Sequence, residues 1–217
     1  MKHKLLFVVA AVTLLLAFVV GAWVYKSGET DQSVQLADPT YTHLVRMHSP
    51  TLGKPDAKVQ IVEFLDPACG ACASFHPRVK QILAANPDQI RLVVRYAPFH
   101  KGSGAVVAVL EAAKKQGKFW PALEALLASQ AKWTKNHTAQ VGLVWKQLEG
   151  LGLDLEQMRA DMVTPAIARA IAQDLDDAKA LNVNKTPTFF VNGQQLLGFG
   201  YEPLKARVDE ALGSAER

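Results

Sequence analysis

The chain has 217 residues, 49% of them hydrophobic and 20% charged, with 14 Gly, 11 Pro and only two Cys. That length serves one globular domain and its core, and excludes a long repeat array or a many-helix transporter. Two cysteines exclude a disulfide-stapled mini-protein and cannot alone complete a four-ligand zinc site, while the net charge of +4 raises nucleic acid as a partner until its placement is read.

Leu5 to Tyr25 is an uncharged run of 21 residues, preceded by Lys2, His3 and Lys4 and followed by Lys26. At about 1.5 Å per residue a helix of that length spans the ~30 Å hydrocarbon core of a bilayer. The run is longer than a signal-peptide apolar region of ~7–15 residues, and Trp23 and Tyr25 suit a membrane interface. Val20-Gly21-Ala22 offers a small-residue cleavage site. The segment is therefore read as a single transmembrane anchor, or in the alternative as a signal sequence. Either way residues 1–4 stay in the cytoplasm and the remainder is exported, which in a bacterium means the periplasm or the outer face of the inner membrane. Without Lys2, Lys4 and Lys26 the chain carries 21 basic against 20 acidic residues. No basic tract remains to follow a phosphate backbone, so no nucleic-acid partner is expected.

Residues 26–57 are polar and broken by Pro39, Pro50 and Pro55, and read as a tether. Val59 to Leu65 is a β-rich apolar run, predicted as a strand buried on both faces. The turn Asp66-Pro67-Ala68 leads into a helix predicted from about Cys69 to Ala85, and a second strand follows at Arg91 to Tyr96. Strand, helix and strand in such a short span form a βαβ unit with parallel strands. Residues 103–181 are Ala- and Leu-rich with helical spacing, interrupted at Gly117, Lys135-Asn136, Gly150-Leu151-Gly152 and Thr164-Pro165, and predict four or five helices. Strand character returns at Thr188 to Val191, Asn192-Gly193 marks a hairpin, Gln194 to Gly198 is the return strand, and a helix over 202–212 closes the chain. The class is α/β, βαβ and then ββα, with a helical block between.

Both cysteines lie in Cys69-Gly70-Ala71-Cys72, directly after a strand and at the start of a helix. A helix N-terminus presents free N–H groups and partial positive charge, which stabilise a thiolate at Cys69. Cys72 lies about one turn further on, near enough to close a disulfide and more buried. An exposed low-pKa thiol with a resolving thiol is what thiol–disulfide exchange requires. A structural disulfide over so short a loop adds little stability. Metal binding with His76 or His100 lacks the paired-cysteine zinc pattern, and no metal is expected; covalent haem needs His where Ala73 stands. His76 reads as a surface histidine, His100 as a loop histidine, and Trp120, Trp133 and Trp145 as packing residues.

Glu63 before the cysteine pair, Pro77 after it, and Thr186-Pro187 ahead of the Asn-Gly hairpin together resemble the thioredoxin fold. With the helical block between its halves, residues 58–217 resemble the DsbA-like periplasmic thiol:disulfide oxidoreductases. The resemblance implies that Cys69 forms the mixed disulfide, that Cys72 resolves it, and that the two make a redox-active disulfide. It implies a cis Pro187 beside the pair, a Thr186 backbone that takes an extended substrate like an added strand, and a Glu63 that relays a proton to or from Cys72. No cofactor is implied. The partners are exported proteins with thiols or disulfides and a membrane redox partner that recycles the pair, and the protein is expected to be a monomer. Strongly oxidising members carry His before the second Cys, where this chain has Ala71. Its potential is therefore expected between the ~−120 and ~−270 mV ends of the known range. Thr before the cis-Pro resembles the reductase and isomerase branch, whereas the helical layout resembles monomeric oxidases; disulfide formation is the favoured direction.

Overall fold

In a computed structural model, which describes residues 13–22 and 39–214, the chain divides into a unit up to Thr42 and a unit from His43 onward. In the first, residues 13–22 form a helix (α1). The expected membrane span over 5–25 lies partly outside the described residues, as do the cytoplasmic residues 1–4, and among the described residues no helix is long and apolar enough to cross a membrane.

The second unit is built around Val59–Leu65 (β2), whose residues are buried at every position but one. Its neighbours are Ile90–Tyr96 (β3), parallel to it, and Thr188–Val191 (β6), antiparallel to it. Two short edge strands, Thr51–Leu52 (β1) beside β3 and Gln194–Gln195 (β7) beside β6, complete a five-stranded sheet in the order β1-β3-β2-β6-β7. The helix Gly70–Ala85 (α3) joins β2 to β3, and Tyr201–Ser214 (α9) follows β7. This is the expected βαβ and ββα arrangement. The return strand is shorter than its apolar composition suggested: Leu196 keeps one backbone bond to the Phe189 carbonyl (2.9 Å), and Leu197 and Gly198 run on beyond the strand.

Alternation along β2 sends side chains to two separate cores. Ile61 and Leu65 pack with Val79 of α3, Leu110, Leu123 and Val208, while Val62 and Phe64 face Leu44, Val93, Ala178 and Phe190. Glu63 shares the first face, the one covered by α3. The insertion between β3 and β6 holds five helices: Ser103–Lys115 (α4), Phe119–Ala128 (α5), Val141–Gln147 (α6), Leu155–Asp161 (α7) and Pro165–Ala180 (α8). A 3-10 turn, Gln130–Lys132, and a small hairpin of Thr134–Lys135 (β4) and Thr138–Ala139 (β5) separate α5 from α6. Asn136 and His137 turn that hairpin with positive φ of 50° and 56°, a conformation that Asn and His tolerate better than bulkier residues.

The tether expected over 26–57 is shorter than its composition indicated. Its residues 26–38 lie outside the described residues, Pro39–Leu44 is a helix (α2), and the chain from His43 onward is part of the folded unit. Arg95, fully buried, donates to Asp174 (2.7 Å) and Asp177 (2.6 Å) of α8 and to the His43 carbonyl. Arg46 forks onto Asp177 (2.8 and 2.6 Å) and His48 meets Asp174 (2.6 Å). Burial pushes Asp177 up, but hydrogen bonds from Arg46, His43 and Arg95 outweigh it and hold the carboxyl well below the usual range. Residues that look solvated in sequence are thus internal partners of two buried aspartates.

Candidate active site

The site forms where β2 hands over to α3. Asp66, fully buried, accepts from the Ala68 N–H (2.9 Å), the His100 N–H (2.9 Å) and His100 Nδ1 (2.6 Å), and from the Ser103 hydroxyl at the start of α4. This fastens the turn to the first helix of the insertion. Cys69 is the N-cap of α3, extended at φ −78° and ψ 118°, so its side chain stands at the helix mouth. Antiparallel pairing of Phe64 with Thr188 draws the preceding loop alongside. Thr186-Pro187 is a cis peptide, and the Cys69 Sγ lies 3.3 Å from the Thr186 carbonyl oxygen. The structure therefore gathers Cys69, Cys72, Thr186 and Pro187 around the mouth of α3, with Glu63 on the covered face of the sheet beneath.

Electrostatics separate the two thiols, which are unbonded here. Cys69 is lowered from the usual 9.0 to about 5, chiefly by a hydrogen bond from the Cys72 thiol, against burial, with help from the Thr186 side chain and the N–H groups of Cys72 and Ala71. Those amides are the orphan donors of the first helical turn. Cys72, 0% exposed, is driven far up by burial, by its bond to Cys69, and by the charges of Glu63 and Cys69. Glu63 is pushed up from 4.5 to about 8 by burial first and the Cys69 charge second. Among the described residues neither of its oxygens has a hydrogen-bond partner. Burial thus keeps the Glu63 proton in place at neutral pH, and the Glu63 charge is felt at Cys72.

Sequence reasoning did not find the wall next to Pro187. Leu196, Leu197 and Phe199, beyond β7, border with Pro187 and Phe189 a cleft of about 160 Å³. Leu197 is 88% exposed and Phe199 57%, and the Phe199 ring rests on Phe75 of α3 at 5.1 Å. The available signal was Leu-Leu-Gly-Phe directly after a hairpin, unusually apolar for a loop beyond an edge strand. Asp66 was likewise read only as a turn residue.

Of the two histidines, His76 differs from expectation, whereas His100 lies in a loop as expected. His76 is buried, both ring nitrogens lack a partner among the described residues, and burial lowers its pKa, so the ring is neutral. Its place on the inner side of α3, against α5, was hidden by the charged residues around it in sequence. His100 is tied to Asp66 and stacks on His137 at 5.3 Å. Among the described residues no three His, Cys, Asp or Glu side chains gather to hold a metal ion. Trp133 is fully buried; Trp120 and Trp145 are partly so. Pro77 lies inside α3, which continues through it to Ala85.

A family model described as thioredoxin matches residues 46–210. The chain is 32% identical over 170 residues to a probable disulfide bond formation protein D of Bacillus anthracis, covering 75% of this chain and 77% of that one. It is 36% identical over 146 residues to a Na(+)/H(+) antiporter NhaA of Herminiimonas arsenicoxydans, covering 67% of this chain and 22% of that protein. The chain spans about a quarter of the length of the antiporters it matches. Among solved structures, a thioredoxin-like oxidoreductase from Silicibacter pomeroyi DSS-3 superposes with a TM-score of 0.68 at 32% identity, covering 77% of this chain and 94% of that one.

Proposed function

Because the chain belongs to the thioredoxin family, and is similar to a disulfide bond formation protein and a thioredoxin-like oxidoreductase, we propose that it is a protein thiol–disulfide oxidoreductase that forms disulfides in exported proteins. The observation that carries this reading is Cys69: a thiol at the mouth of α3, held down to about 5 and 3.3 Å from the carbonyl before the cis-proline.

In the oxidised protein a substrate thiolate attacks the Cys69 sulfur of the Cys69–Cys72 disulfide. The new bond joins substrate to Cys69, the old bond breaks, and its electron pair leaves on Cys72, which takes the proton of Glu63. A second substrate thiolate then attacks the substrate sulfur of the mixed disulfide and releases Cys69 as thiolate. The substrate has lost two electrons and the cysteine pair has gained them. A low-pKa leaving group speeds the last step and stabilises the reduced pair, which makes the pair oxidising. Attack falls on Cys69 because Cys72 has no exposed surface.

The substrate lies extended along Thr186, pairing with its backbone as an added strand, with an apolar side chain in the cleft beside Pro187, Leu197 and Phe199. The apolar run 5–25 anchors this domain on the outer side of the inner membrane, or is a signal sequence cleaved on export. The protein acts as a monomer, and a membrane redox partner returns the pair to the disulfide. Ala71 between the cysteines favours the second reading, a reductase or isomerase of the same fold.

The test is oxidation of a dithiol peptide by the oxidised protein. Cys69→Ser abolishes it, and so does Cys72→Ser, which has no disulfide to spend. Cys72→Ser instead traps a mixed disulfide when its Cys69 thiolate attacks an oxidised peptide and displaces that peptide's other sulfur as thiolate. Exchange surviving in Cys69→Ser removes the nucleophile. Alkylation trapping in cells reads the direction: mostly disulfide is expected, and mostly dithiol assigns the reverse reaction.

A further inference from the structure

Besides Ser103 on Asp66, the helical insertion reaches the catalytic turn through Gln130, a side chain that exchange chemistry does not use. Gln130 opens the 3-10 turn after α5, and its Nε2 donates to the Pro67 carbonyl at 2.8 Å and to the Cys69 carbonyl at 3.0 Å. Its Oε1 lies where a Cβ on Gly70 would stand 3.8 Å away, so the carboxamide is laid flat along the turn from Pro67 to Gly70.

The arm behind that carboxamide is stiff. The Gln130 carbonyl accepts both the Trp133 N–H (3.1 Å) and the Thr134 hydroxyl (2.8 Å). Trp133 is fully buried, with its indole N–H on the Leu126 carbonyl at 2.8 Å. The turn it grips is otherwise held from its N-terminal side by Asp66, whose carboxylate takes the Ala68 N–H (2.9 Å) and whose carbonyl takes the Cys69 N–H (3.0 Å). Cys69 is the N-cap of α3 but makes no side-chain capping bond. The Pro67–Ala68 peptide is consequently held at both ends by the fold, its oxygen by Gln130 and its N–H by Asp66. The next carbonyl, that of Cys69, takes the Ala73 N–H (3.1 Å) and the second Gln130 proton.

We propose that Gln130 is a positioning residue for Cys69, holding the Pro67 and Cys69 carbonyls so that the first-turn N–H groups of α3 face the Cys69 sulfur. The assignment rests on Cys69 being the nucleophile. Two effects follow from the geometry. A carbonyl oxygen carries partial negative charge, and one freed to rotate toward the sulfur opposes the thiolate. A donor on the Cys69 carbonyl also fixes the plane of the Cys69–Gly70 peptide, and with it the direction of the Ala71 and Cys72 N–H groups that follow and support the thiolate. The insertion thereby sets how well the thiolate is solvated, although it lends no atom to the reaction.

The experiment follows thiolate absorbance against pH in the reduced, purified full chain, with thermal melting measured alongside. Gln130→Met keeps the bulk and removes both donors; Gln130→Glu keeps the shape and sets a carboxylate against two carbonyls. The Cys69 midpoint is expected to rise by about half a pH unit or more in Gln130→Met, roughly a threefold fall in acid dissociation constant, and further in Gln130→Glu. If both variants melt lower yet titrate as the unaltered protein does, the side chain merely braces the insertion and the proposal is overturned. A Gln130→Glu midpoint no higher than that of Gln130→Met overturns the electrostatic part of it. An unaltered protein with no thiolate step below neutral pH removes the Cys69 assignment instead, an outcome read before any variant is compared.

Discussion

Glu63 and Cys69 pull the stability of the reduced protein in opposite directions as pH changes. Glu63 rises on folding from 4.5 to about 8, so within that window the folded state keeps a proton that the unfolded state has released. Its contribution is present below 4.5 and is lost as pH climbs through about 8. Cys69 falls on folding from 9.0 to about 5, so there the unfolded state keeps the proton. Its contribution is present above 9.0 and is lost as pH drops towards 5. Each slope is at most about 1.4 kcal/mol per pH unit. The windows overlap and the slopes oppose, so the reduced protein is expected to show a nearly flat profile between them. Glu63→Gln removes the falling component and leaves a rising one, with stability at the alkaline end higher than at the acid end by on the order of 4 kcal/mol. Cys69→Ser leaves only the falling one. Urea unfolding of the three reduced proteins across the window reads this directly. A Glu63→Gln profile parallel to that of the unaltered protein would refute the reasoning, because Glu63 would then carry no proton that folding retains.

Leu197→Asp, at a position 88% exposed, is expected to leave the melting temperature unchanged. It should raise KM for an apolar dithiol peptide by about tenfold, roughly 1.4 kcal/mol of lost burial; unchanged kinetics would take the substrate out of that cleft. Arg95→Met leaves Asp174 and Asp177 buried with fewer donors and is expected to cost about 3–5 kcal/mol in urea unfolding. A loss under about 1 kcal/mol, the range of exposed ion pairs, would show that the cluster is solvated. Glu63→Gln is also expected to slow exchange at the step that protonates Cys72, most clearly in the accumulation of mixed disulfide. An unaltered rate there would mean that the proton comes from solvent.

The elements that position the cysteines were legible because their signals are local. The run Val59 to Leu65 carries its own β pattern and was found at both ends. Cys69 at a strand-to-helix junction is marked as a low-pKa thiol by the first helical turn, which holds both the Cys72 thiol, the larger cause, and the Cys72 and Ala71 N–H groups. The interruptions at Gly117, Gly150 to Gly152 and Thr164-Pro165 separate helices of the insertion as their chemistry requires. What stayed hidden lies between residues far apart in the chain. His43 and Arg46 look like tether residues until they meet Asp177, 134 and 131 positions away. Gln130 looks like any polar residue at a helix end until it meets Cys69, 61 positions back. The cleft of Leu197 and Phe199 exists only because β6 sets the loop beyond β7 against α3.

Few cysteines, balanced charge and ample apolar residues pointed to the Cys69–Cys72 pair as the candidate site and gave no reason to expect nucleic acid. Periodicity and spacing act over a turn or a strand, and they decided where Cys69 sits. Its depressed pKa, its distance from Thr186, the orphaned Glu63 beneath it and the grip of Gln130 and Asp66 came from packing. Burial and hydrogen-bond geometry are properties of neighbours in space, and only the folded chain chooses those neighbours.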